Sequence, residues 1–342
     1  MTGRIPDGFD AHVLVVGAGP TGLLLAAELR LGGASVIVLE AESAPSTESR
    51  ATILSARTIE ILDSRGLLPQ LGEVVNESRS HFGGIPFDLG STPQWYVPQP
   101  VTERVLRDWG LELGVDLRWR HRVDAIEVAA DGVTVRTTDG ARLRALCVVG
   151  CDGQHSTVRR LSTAGFPEPA QPRELIRADV AGVDIPNRRF QRLPNGLAVA
   201  ARRPDGRTRV MVHRFGQLAR PRTGAPEFAE LVETWRQVTG EDLSGGTLCW
   251  INAFDDAQQQ LSRYRHGRVI LAGDAAHQQL QVGGQALNLA LQDAFNLGWK
   301  LALHVTGRAG PGLLDSYSDE RYAADRAALT NIEAQAMLLI DG

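Results

Sequence analysis

The sequence predicts an α/β fold that begins with a βαβ unit, contains an inserted and mostly antiparallel β-sheet, and ends in a helix. Short apolar runs at 13–16 and 35–40 indicate two buried parallel strands, and the segment between them, about 22–31, has a helical pattern. The middle of the chain differs. Strands at 197–201 and 209–214 flank a Pro-Asp-Gly turn, which is typical of an antiparallel hairpin.

The pattern of buried parallel strands returns after residue 251. Residues 268–272 form an apolar run that predicts another such strand, and a long helix follows at about 284–305. Acid-glycine pairs at 131–132 and 139–140 punctuate a predicted meander. Further helices are expected at 52–67, 102–113, 228–238 and 318–339.

Composition excludes several classes of protein. A chain of 342 residues suggests about two domains, and 43% apolar with 22% charged residues is ordinary for a globular protein. The apolar runs fall short of a membrane span, no secretory signal is present, and a net charge of -4 gives no footprint for nucleic acid. Three cysteines without metal-ligand spacing predict a reducing cytoplasm and no metal site. The sequence shows no Ser/His/Asp order, no metal cluster and no paired acids that would suggest a hydrolase.

The first motif, G-x-G-x-x-G, follows the first strand and starts the first helix. Its glycines allow a tight turn, close approach of a pyrophosphate, and close helix packing, while Glu40 at the end of the second strand can bind a ribose. A bound dinucleotide is therefore expected, with a structural glycine turn as the alternative. The motif residues are Gly17, Gly19, Pro20, Thr21 and Gly22.

Two further turns follow predicted strands. Asp274, after Gly273, is placed to hold the sugar-alcohol chain of a flavin, which NAD lacks; an ordinary helix-capping aspartate is the alternative. Asp152, in an Asp-Gly turn, could line a pyrophosphate and admit a second nucleotide, although such a pair is often a simple turn.

These three motifs, in this order and separation, resemble the flavoprotein monooxygenases of the para-hydroxybenzoate hydroxylase fold. The run 283–301, GGQALNLALQDAFNLGWKL, looks very similar to the branch that oxidises aromatic polyketides, such as anthracycline, angucycline and tetracycline hydroxylases. Arg50-Ala51, Arg57 to Glu60, and Pro98-Gln99 ahead of Thr102-Glu103 fit the same branch. The resemblance covers nearly the whole chain.

The resemblance implies a Rossmann-like FAD-binding domain of the glutathione reductase type, with NADPH as a transient co-substrate. It assigns 10–75, 98–172 and 252–310 to this domain, 76–97 and 173–251 to the substrate-binding domain, and 311–342 to a C-terminal helical segment. The thioredoxin-like domain of many relatives is absent or was removed. Besides the glycine motif, the implied FAD contacts are Glu40, Arg50, Gln99, Asp152, Gly273, Asp274, Gly284, Leu287 and Asn288.

The resemblance implies oxygen transfer from a flavin C4a-hydroperoxide to a polycyclic aromatic polyketide. Two residues depart from the family pattern beside the flavin: Gln281 stands where proline is usual, and Ala286 replaces a glycine. Baeyer–Villiger insertion, epoxidation, another flavin redox rearrangement, or a non-catalytic flavoprotein-like partner therefore remain alternatives. The polyketide, the carbon attacked, and the choice between monomer and homodimer stay open.

Eight further residues are candidates for the substrate side. His277 and Gln278 lie beside the expected flavin loop, where a histidine could move protons; a structural hydrogen bond is the alternative. Core packing is the alternative for the aromatic candidates. The expected substrate-pocket residues are Phe82, Trp95, Tyr96, His213, Phe215 and Gln279.

Overall fold

The computed structural model describes residues 4–46, 51–76, 79–162, 164–166, 172–203 and 205–340. In chain order, the strands are β1 Ala11–Val16, β2 Val36–Leu39, β3 Ile53–Ser55, β4 Val75–Asn76, β5 Arg79–Phe82, β6 Ile85–Asp88, β7 Gln94–Tyr96, β8 Asp116–Arg118, β9 Val123–Val128, β10 Val133–Thr137, β11 Arg142–Gly150, β12 Glu174–Ala181, β13 Arg188–Leu193, β14 Gly196–Arg202, β15 Arg207–Arg214, β16 Thr247–Asp255, β17 Gln259–Gln260, β18 Arg265–His266, β19 Val269–Leu271 and β20 His277–Gln278. The α-helices are α1 Pro20–Leu31, α2 Ala56–Asp63, α3 Gln99–Glu112, α4 Thr157–Leu161, α5 Phe228–Thr239, α6 Gln285–Val305 and α7 Ser316–Ile340.

The first sheet has a parallel centre. Its strands lie in the order β18-β19-β11-β1-β2-β8, and the β9-β10 meander attaches to β11. β1 pairs in parallel with both β2 and β11, so that Val13 lies between Val36 and Cys147. β1 and β2 are buried along their whole length, and α1 packs between the sheet and the helices α3 and α6. The predicted βαβ unit is therefore present, and its strand ends meet at one edge of the sheet.

The second sheet is antiparallel, in the order β13-β14-β15-β12-β16. Its side chains alternate between two cores, as a pleated strand requires. On β12, Ile176 and Ala178 pack with Trp235 of α5, whereas Leu175 packs with Ile332 of α7. The predicted α/β fold with an antiparallel sheet and a C-terminal helix is confirmed.

One predicted helix is partly wrong. Residues 52–67 were expected to be helical, but the structure has the short strand β3 before α2 begins at Ala56. The cause is tertiary: β3 pairs antiparallel with β7, and the Asn288 side chain bonds the backbone at both Ile53 and Ser55. Partners distant in sequence override the local helical pattern.

Membrane spanning was not expected from the sequence. Within the described residues, no helix combines the length and apolarity needed to cross a bilayer.

Candidate cofactor and substrate site

A cavity of about 670 Å³ lies between the carboxyl edge of the parallel sheet and the antiparallel sheet. The N-termini of α1 and α6 border it, and so do residues of β12 and β13. Ten expected cofactor contacts line it: Gly17, Gly19, Pro20, Thr21, Glu40, Gln99, Asp152, Asp274, Gly284 and Leu287. The structure thus brings together, at one cavity, motifs more than 250 residues apart in the chain.

The three glycines of the first motif serve three different needs. Gly17 has φ of 100°, and a Cβ there would lie 2.5 Å from the carbonyl oxygen of Cys151. A Cβ on Gly22 would lie 2.0 Å from the carbonyl oxygen of Gly17, so this turn closes tightly on itself. A Cβ on Gly19 would meet nothing within 4 Å. The turn is therefore closed on the protein side and open at Gly19, which borders the cavity.

The helix termini at this cavity carry no side-chain caps. Gly19 caps α1 and Gly284 caps α6, and neither cap is a side-chain hydrogen bond. Their first-turn amides point towards the cavity end of each helix, where an anion or a carbonyl oxygen can accept from them. Gly284 adopts φ of 66°, which a residue with a side chain rarely adopts.

Glu40 is fixed by backbone amides. Its carboxylate accepts from the N–H of Ala18 at 2.7 Å and from that of Glu42 at 2.9 Å. These bonds tie the end of β2 to the glycine turn, and Glu40 lines the cavity beside that turn. Its placement suits a ribose next to a pyrophosphate.

Gln99 and Asn288 position neighbouring elements. The side chain of Gln99 accepts from the amide of Ala51 at 3.1 Å and donates to Glu103 at 2.8 Å. Asn288 is 2% exposed and lies behind the cavity rather than on its surface, where its side chain joins α6 to β3. Arg50, another expected contact, lies outside the described residues.

Asp152 and Asp274 both line the cavity and differ in exposure, since Asp152 is half-buried and Asp274 is exposed. Both oxygens of Asp152 accept bonds from the turn that begins α4, from the Ser156 hydroxyl and from the amides of Thr157 and Val158. Asp274 is exposed and lines the cavity. Asp152 therefore shapes its turn, while Asp274 lies on the exposed lining of the cavity.

His277 lies in a buried charge cluster instead of on the cavity surface. It is 1% exposed, and its Nε2 is 2.7 Å from a carboxylate oxygen of Asp293 and 3.4 Å from one of Asp325. Arg321 bonds both carboxylates at 2.6 Å, and Tyr264 donates to Asp325 at 3.0 Å. We call these five residues the buried cluster. Its place fits a positioning role better than proton transfer to a substrate.

The charges of the buried cluster explain its titration. Burial lowers the pKa of His277, but Asp293 and Asp325 outweigh burial and raise that pKa to about 9. Burial and the neighbouring Asp293 raise the pKa of Asp325 to about 6. Burial would raise the pKa of Asp293, but His277 and Arg321 outweigh it and hold that pKa below its usual range. The side-chain atoms of His277, Asp293 and Asp325 that could coordinate a metal ion lie within 4.8 Å of one another. Arg321 already supplies the positive charge that a metal ion would bring to the two carboxylates.

The cluster also reaches the cofactor loop. The carboxylate of Asp293 accepts from the amide of Gly273 at 2.9 Å, directly before Asp274. Gly273 has φ of 62° and little room for a side chain, because a Cβ there would lie 3.0 Å from the hydroxyl of Thr21 and 3.1 Å from Ala290. The loop that presents Asp274 is thus held from α1, α6 and α7 together.

The opposite end of the cavity is formed by residues that the sequence motifs did not assign to the substrate. Arg177 and Arg189 come from β12 and β13, and Gln281 comes from the loop before α6. His81 stacks on Phe190 with ring centroids 4.4 Å apart. We call these five residues the substrate end. The alternation of β12, in which Leu175 and Arg177 share a face, is the one sequence signal that could have indicated Arg177.

The expected pocket residues lie elsewhere. None of them is among the described residues that line the cavity. Trp95 packs against the main core, His213 is buried with Nδ1 2.7 Å from the carbonyl oxygen of Glu174, and Phe215 lies under Arg192. In one case the cavity is lined by the adjacent residue in the sequence, since His81 lines it and Phe82 does not.

The remaining expected residues are also accounted for. Tyr96 is half-buried on β7, opposite Ile53. Gln278 donates to the carbonyl oxygen of Gln154 at 2.6 Å, and Gln279 is half-buried beside it. Gln278 thus joins its loop to the turn at Gln154, and none of these three residues lines the cavity.

Comparison with known proteins identifies the family. Residues 10–332 match the family described as "FAD binding domain". The chain belongs to this family. The site fits FAD on structural grounds: the open turn at Gly19 and the uncapped helix termini suit a pyrophosphate and a flavin edge, and Glu40 suits the ribose.

Members of the family that resemble this chain are named as monooxygenases. Rifampicin monooxygenase of Streptomyces venezuelae is 41% identical over 96% of this chain and 71% of its own length. The 12-dehydrotetracycline 5-monooxygenase/anhydrotetracycline 6-monooxygenase of Streptomyces rimosus is 39% identical over 96% of this chain and 69% of its own length. The solved structure of CabE, an aromatic hydroxylase from angucycline biosynthesis, gives a TM-score of 0.93 at 45% identity, over 97% of this chain and 70% of that one. The expected resemblance to flavoprotein monooxygenases is confirmed.

Proposed function

We propose that this chain is an FAD-dependent monooxygenase that oxygenates a polycyclic aromatic polyketide, with molecular oxygen and NADPH as co-substrates. The observation that carries the proposal is the continuity of the cavity, which joins the FAD-binding elements to the substrate end. The names of the relatives support the substrate class.

In this proposal, the residues of the chain bind FAD and the substrate and orient them. Bound FAD supplies the activation of oxygen once it is reduced. The α1 terminus would hold the pyrophosphate, Glu40 the ribose, and Asp274 the ribityl chain, and the backbone of Leu287 and Asn288 at the α6 terminus would hold the flavin ring. Such fixed contacts place the reacting groups without further reorganisation.

The substrate end offers aromatic ring surfaces against which a ligand can pack. The stacked rings of His81 and Phe190 suit a planar fused-ring ligand. Burial and Arg189 lower the pKa of His81 to about 4, so the imidazole is neutral at neutral pH. Phe190 has φ of 47°, a conformation that costs free energy in a residue with a side chain and that recurs at ligand-binding positions.

We propose that NADPH, the reductant, binds only transiently. The sequence holds one G-x-G-x-x-G motif, which we assign to FAD, and so offers no second motif of this kind for NADPH. The turn at Asp152 and the neighbouring Gln154 and His155 border the same cavity and form a candidate approach. We propose that the protein is located in the cytoplasm and that it is either a monomer or a homodimer.

The test begins with the visible spectrum of the purified protein. We expect a flavin band that anaerobic NADPH bleaches faster in the presence of a polycyclic aromatic ligand. Product formed under ¹⁸O₂ should carry one labelled oxygen, and NMR of that product separates hydroxylation from Baeyer–Villiger insertion. A colourless protein that takes up no FAD would overturn the cofactor assignment. Flavin oxidation that yields only hydrogen peroxide with every aromatic tested would overturn the monooxygenase assignment.

A further inference from the structure

We infer that His81 donates a hydrogen bond from its Nε2 to a carbonyl oxygen of the substrate, and that the site therefore selects polycycles that carry a ketone or quinone oxygen. This inference rests on the proposed function, because it names a feature of the substrate that the same cavity takes. It assigns the recognition to the hairpin formed by β5 and β6, which borders the cavity beside β13.

The first support is the burial and the position of His81. The residue lines the cavity while only 7% of it is exposed. Its Nε2 has no hydrogen-bond partner among the described residues, yet protein atoms do not enclose it. Nε2 of His213 differs, since it is both unpaired and enclosed. An open polar atom on so deeply buried a side chain, at the wall of a cavity, is available to a ligand in that cavity.

The second support is the tautomer of the imidazole. Nδ1 of His81 accepts a hydrogen bond from the backbone N–H of Gly84 at 3.3 Å, so Nδ1 carries no proton. Burial and the nearby Arg189 lower the pKa of His81 to about 4, so the ring is neutral at neutral pH. A neutral imidazole has one N–H, and in this ring it must be at Nε2. The open nitrogen is therefore a donor, and the ligand group that it can bind is an acceptor.

The third support is that the ring is held in place by two other elements. His81 stacks on Phe190 of β13, and Gly84 packs on the same residue, because a Cβ there would lie 2.5 Å from the carbonyl oxygen of Phe190. The N–H of Gly83 donates to the side chain of Gln335 at 3.2 Å, and Gln335 is 3% exposed on α7. The donor is thus fixed from β13 and α7, so that a ligand loses little free energy in ordering it.

A fixed donor without a partner makes the site selective. A ligand that covers Nε2 of His81 removes that N–H from water, and free energy is lost unless the ligand supplies an acceptor. Donors approach a carbonyl oxygen near the plane of its substituents, so a donor at the cavity wall can meet the edge of a flat ring system. A ring system that has no oxygen at this edge leaves the N–H unpaired and binds more weakly.

The test compares two neutral probes on the FAD-loaded protein, 2-(hydroxymethyl)anthraquinone and 2-(hydroxymethyl)anthracene. They share one ring skeleton and one substituent, and only the first has carbonyl oxygens. Binding is followed by the flavin difference spectrum, and the carbonyl stretching band of the bound quinone by vibrational difference spectroscopy. In the unsubstituted protein we expect this band to move to lower frequency than in apolar solvent, because a hydrogen bond weakens the carbonyl double bond.

Two variants separate the hydrogen bond from the packing of the ring. His81→Phe keeps a ring and removes the donor, whereas His81→Gln keeps an amide N–H near the position of Nε2. In His81→Phe the quinone should bind about tenfold more weakly, the anthracene should bind equally well or more tightly, and the band shift should be lost. His81→Gln should keep the preference for the quinone to within about threefold. His266→Phe, on β18 and not at the cavity, is the matched control and should change neither affinity nor the band.

Each outcome supports or overturns the inference. Equal weakening of both probes in His81→Phe, or a carbonyl band that this variant does not move, would show a histidine that only packs and would overturn it. Failure of the FAD-loaded protein to bind the quinone would also overturn it. Oxygen incorporation from ¹⁸O₂ with an unchanged preference in His81→Phe would overturn the inference and leave the proposed function standing. Recognition of the quinone through His81 without incorporation would leave the inference standing and overturn the proposed function.

Discussion

At the scale of single residues, the nucleotide turn separates what the protein needs from what the ligand needs. Gly17 and Gly22 are enclosed by backbone, so a side chain there collides with the protein itself. Gly19 has φ of -73° and free space in front of it, so an alanine there is compatible with the fold. The same motif therefore contains glycines required for two different reasons.

We predict that Gly19→Ala and Gly22→Ala fail differently. Gly19→Ala should leave the unfolding temperature of the apoprotein unchanged and weaken FAD binding by a factor of ten or more, because its methyl occupies the approach of the pyrophosphate. Gly22→Ala should destabilise the apoprotein by about 1–3 kcal/mol through overpacking. Calorimetry of the apoproteins and FAD titration check both. Equal loss of apoprotein stability in the two variants would contradict this division.

At the scale of elements, the buried cluster connects three segments that the chain order keeps apart. Asp293 lies on α6, Arg321 and Asp325 lie on α7, and His277 follows the loop that presents Asp274. With His277 protonated, two carboxylates face two cations, and the cluster is neutral. Its stability therefore depends on a proton held by a histidine that water cannot reach.

We predict that stability falls above neutral pH because of His277. The folded pKa of about 9 exceeds the ordinary value of 6.5, so the stabilisation is complete below about pH 6.5 and is lost as the pH rises through 9. The loss should be on the order of 3 kcal/mol. Urea unfolding at several pH values, compared with His277→Gln, measures it.

The matched comparison isolates this histidine. The pKa of Asp325 is also raised, to about 6. Its effect is that the free energy of unfolding falls as the pH rises from the ordinary value of 3.8 to about 6. Above pH 7 this effect is constant, so it does not interfere with the measurement on His277. Parallel stability curves for the unsubstituted protein and His277→Gln between pH 6.5 and 9.5 would refute the assignment.

We predict that Arg321→Gln destabilises the protein by about 3–5 kcal/mol, because Asp293 and Asp325 lose their buried counterion. FAD should also bind more weakly, since Asp293 holds the Gly273 amide. Arg326→Gln, at an exposed position of the same helix, is the control and should change stability by about 0.5 kcal/mol or less. Urea unfolding measures the change in stability, and FAD titration measures the change in affinity. If both variants behave alike, the cluster does not couple α7 to the cofactor loop.

At the scale of the whole molecule, the cavity is formed between two sheets that each have their own core. The C-terminal half of α7 packs through Ile332 and Leu339 on the antiparallel sheet, while its start joins the buried cluster. One helix therefore braces both the cofactor loop and the substrate end.

Thiol reactivity reports whether this assembly is closed. Cys249 is exposed, whereas Cys147 and Cys151 are buried, and burial raises the pKa of Cys147 to about 11 and that of Cys151 above its usual range. We predict one rapidly reacting thiol in the native protein and three in denaturant, measured with a chromogenic disulfide reagent. Because Cys151 packs against Gly17, saturating FAD should slow its labelling further. Two or more fast native thiols would contradict the predicted closure.

Most of the expected cofactor contacts line the cavity, whereas none of the expected substrate-pocket residues does. Gly17, Glu40 and Asp274 were recognisable because each belongs to a short motif whose spacing alone implies a turn after a strand. Arg177 and Phe190 carry no such motif. Periodicity shows which side chains share a face of a strand, and it does not show what packs against that face.

The βαβ start, the nucleotide turn, the inserted hairpin and the terminal helix were all predictable from the amino-acid sequence, because spacings of a few residues encode these elements. Tertiary structure alone decided the strand at Ile53, the burial of His277, and the bond between Arg177 and Gln281. Each depends on partners far apart in the chain, 104 residues for Arg177 and Gln281. Local preferences are weak beside such contacts, since a buried polar group must find its partner wherever the fold supplies one.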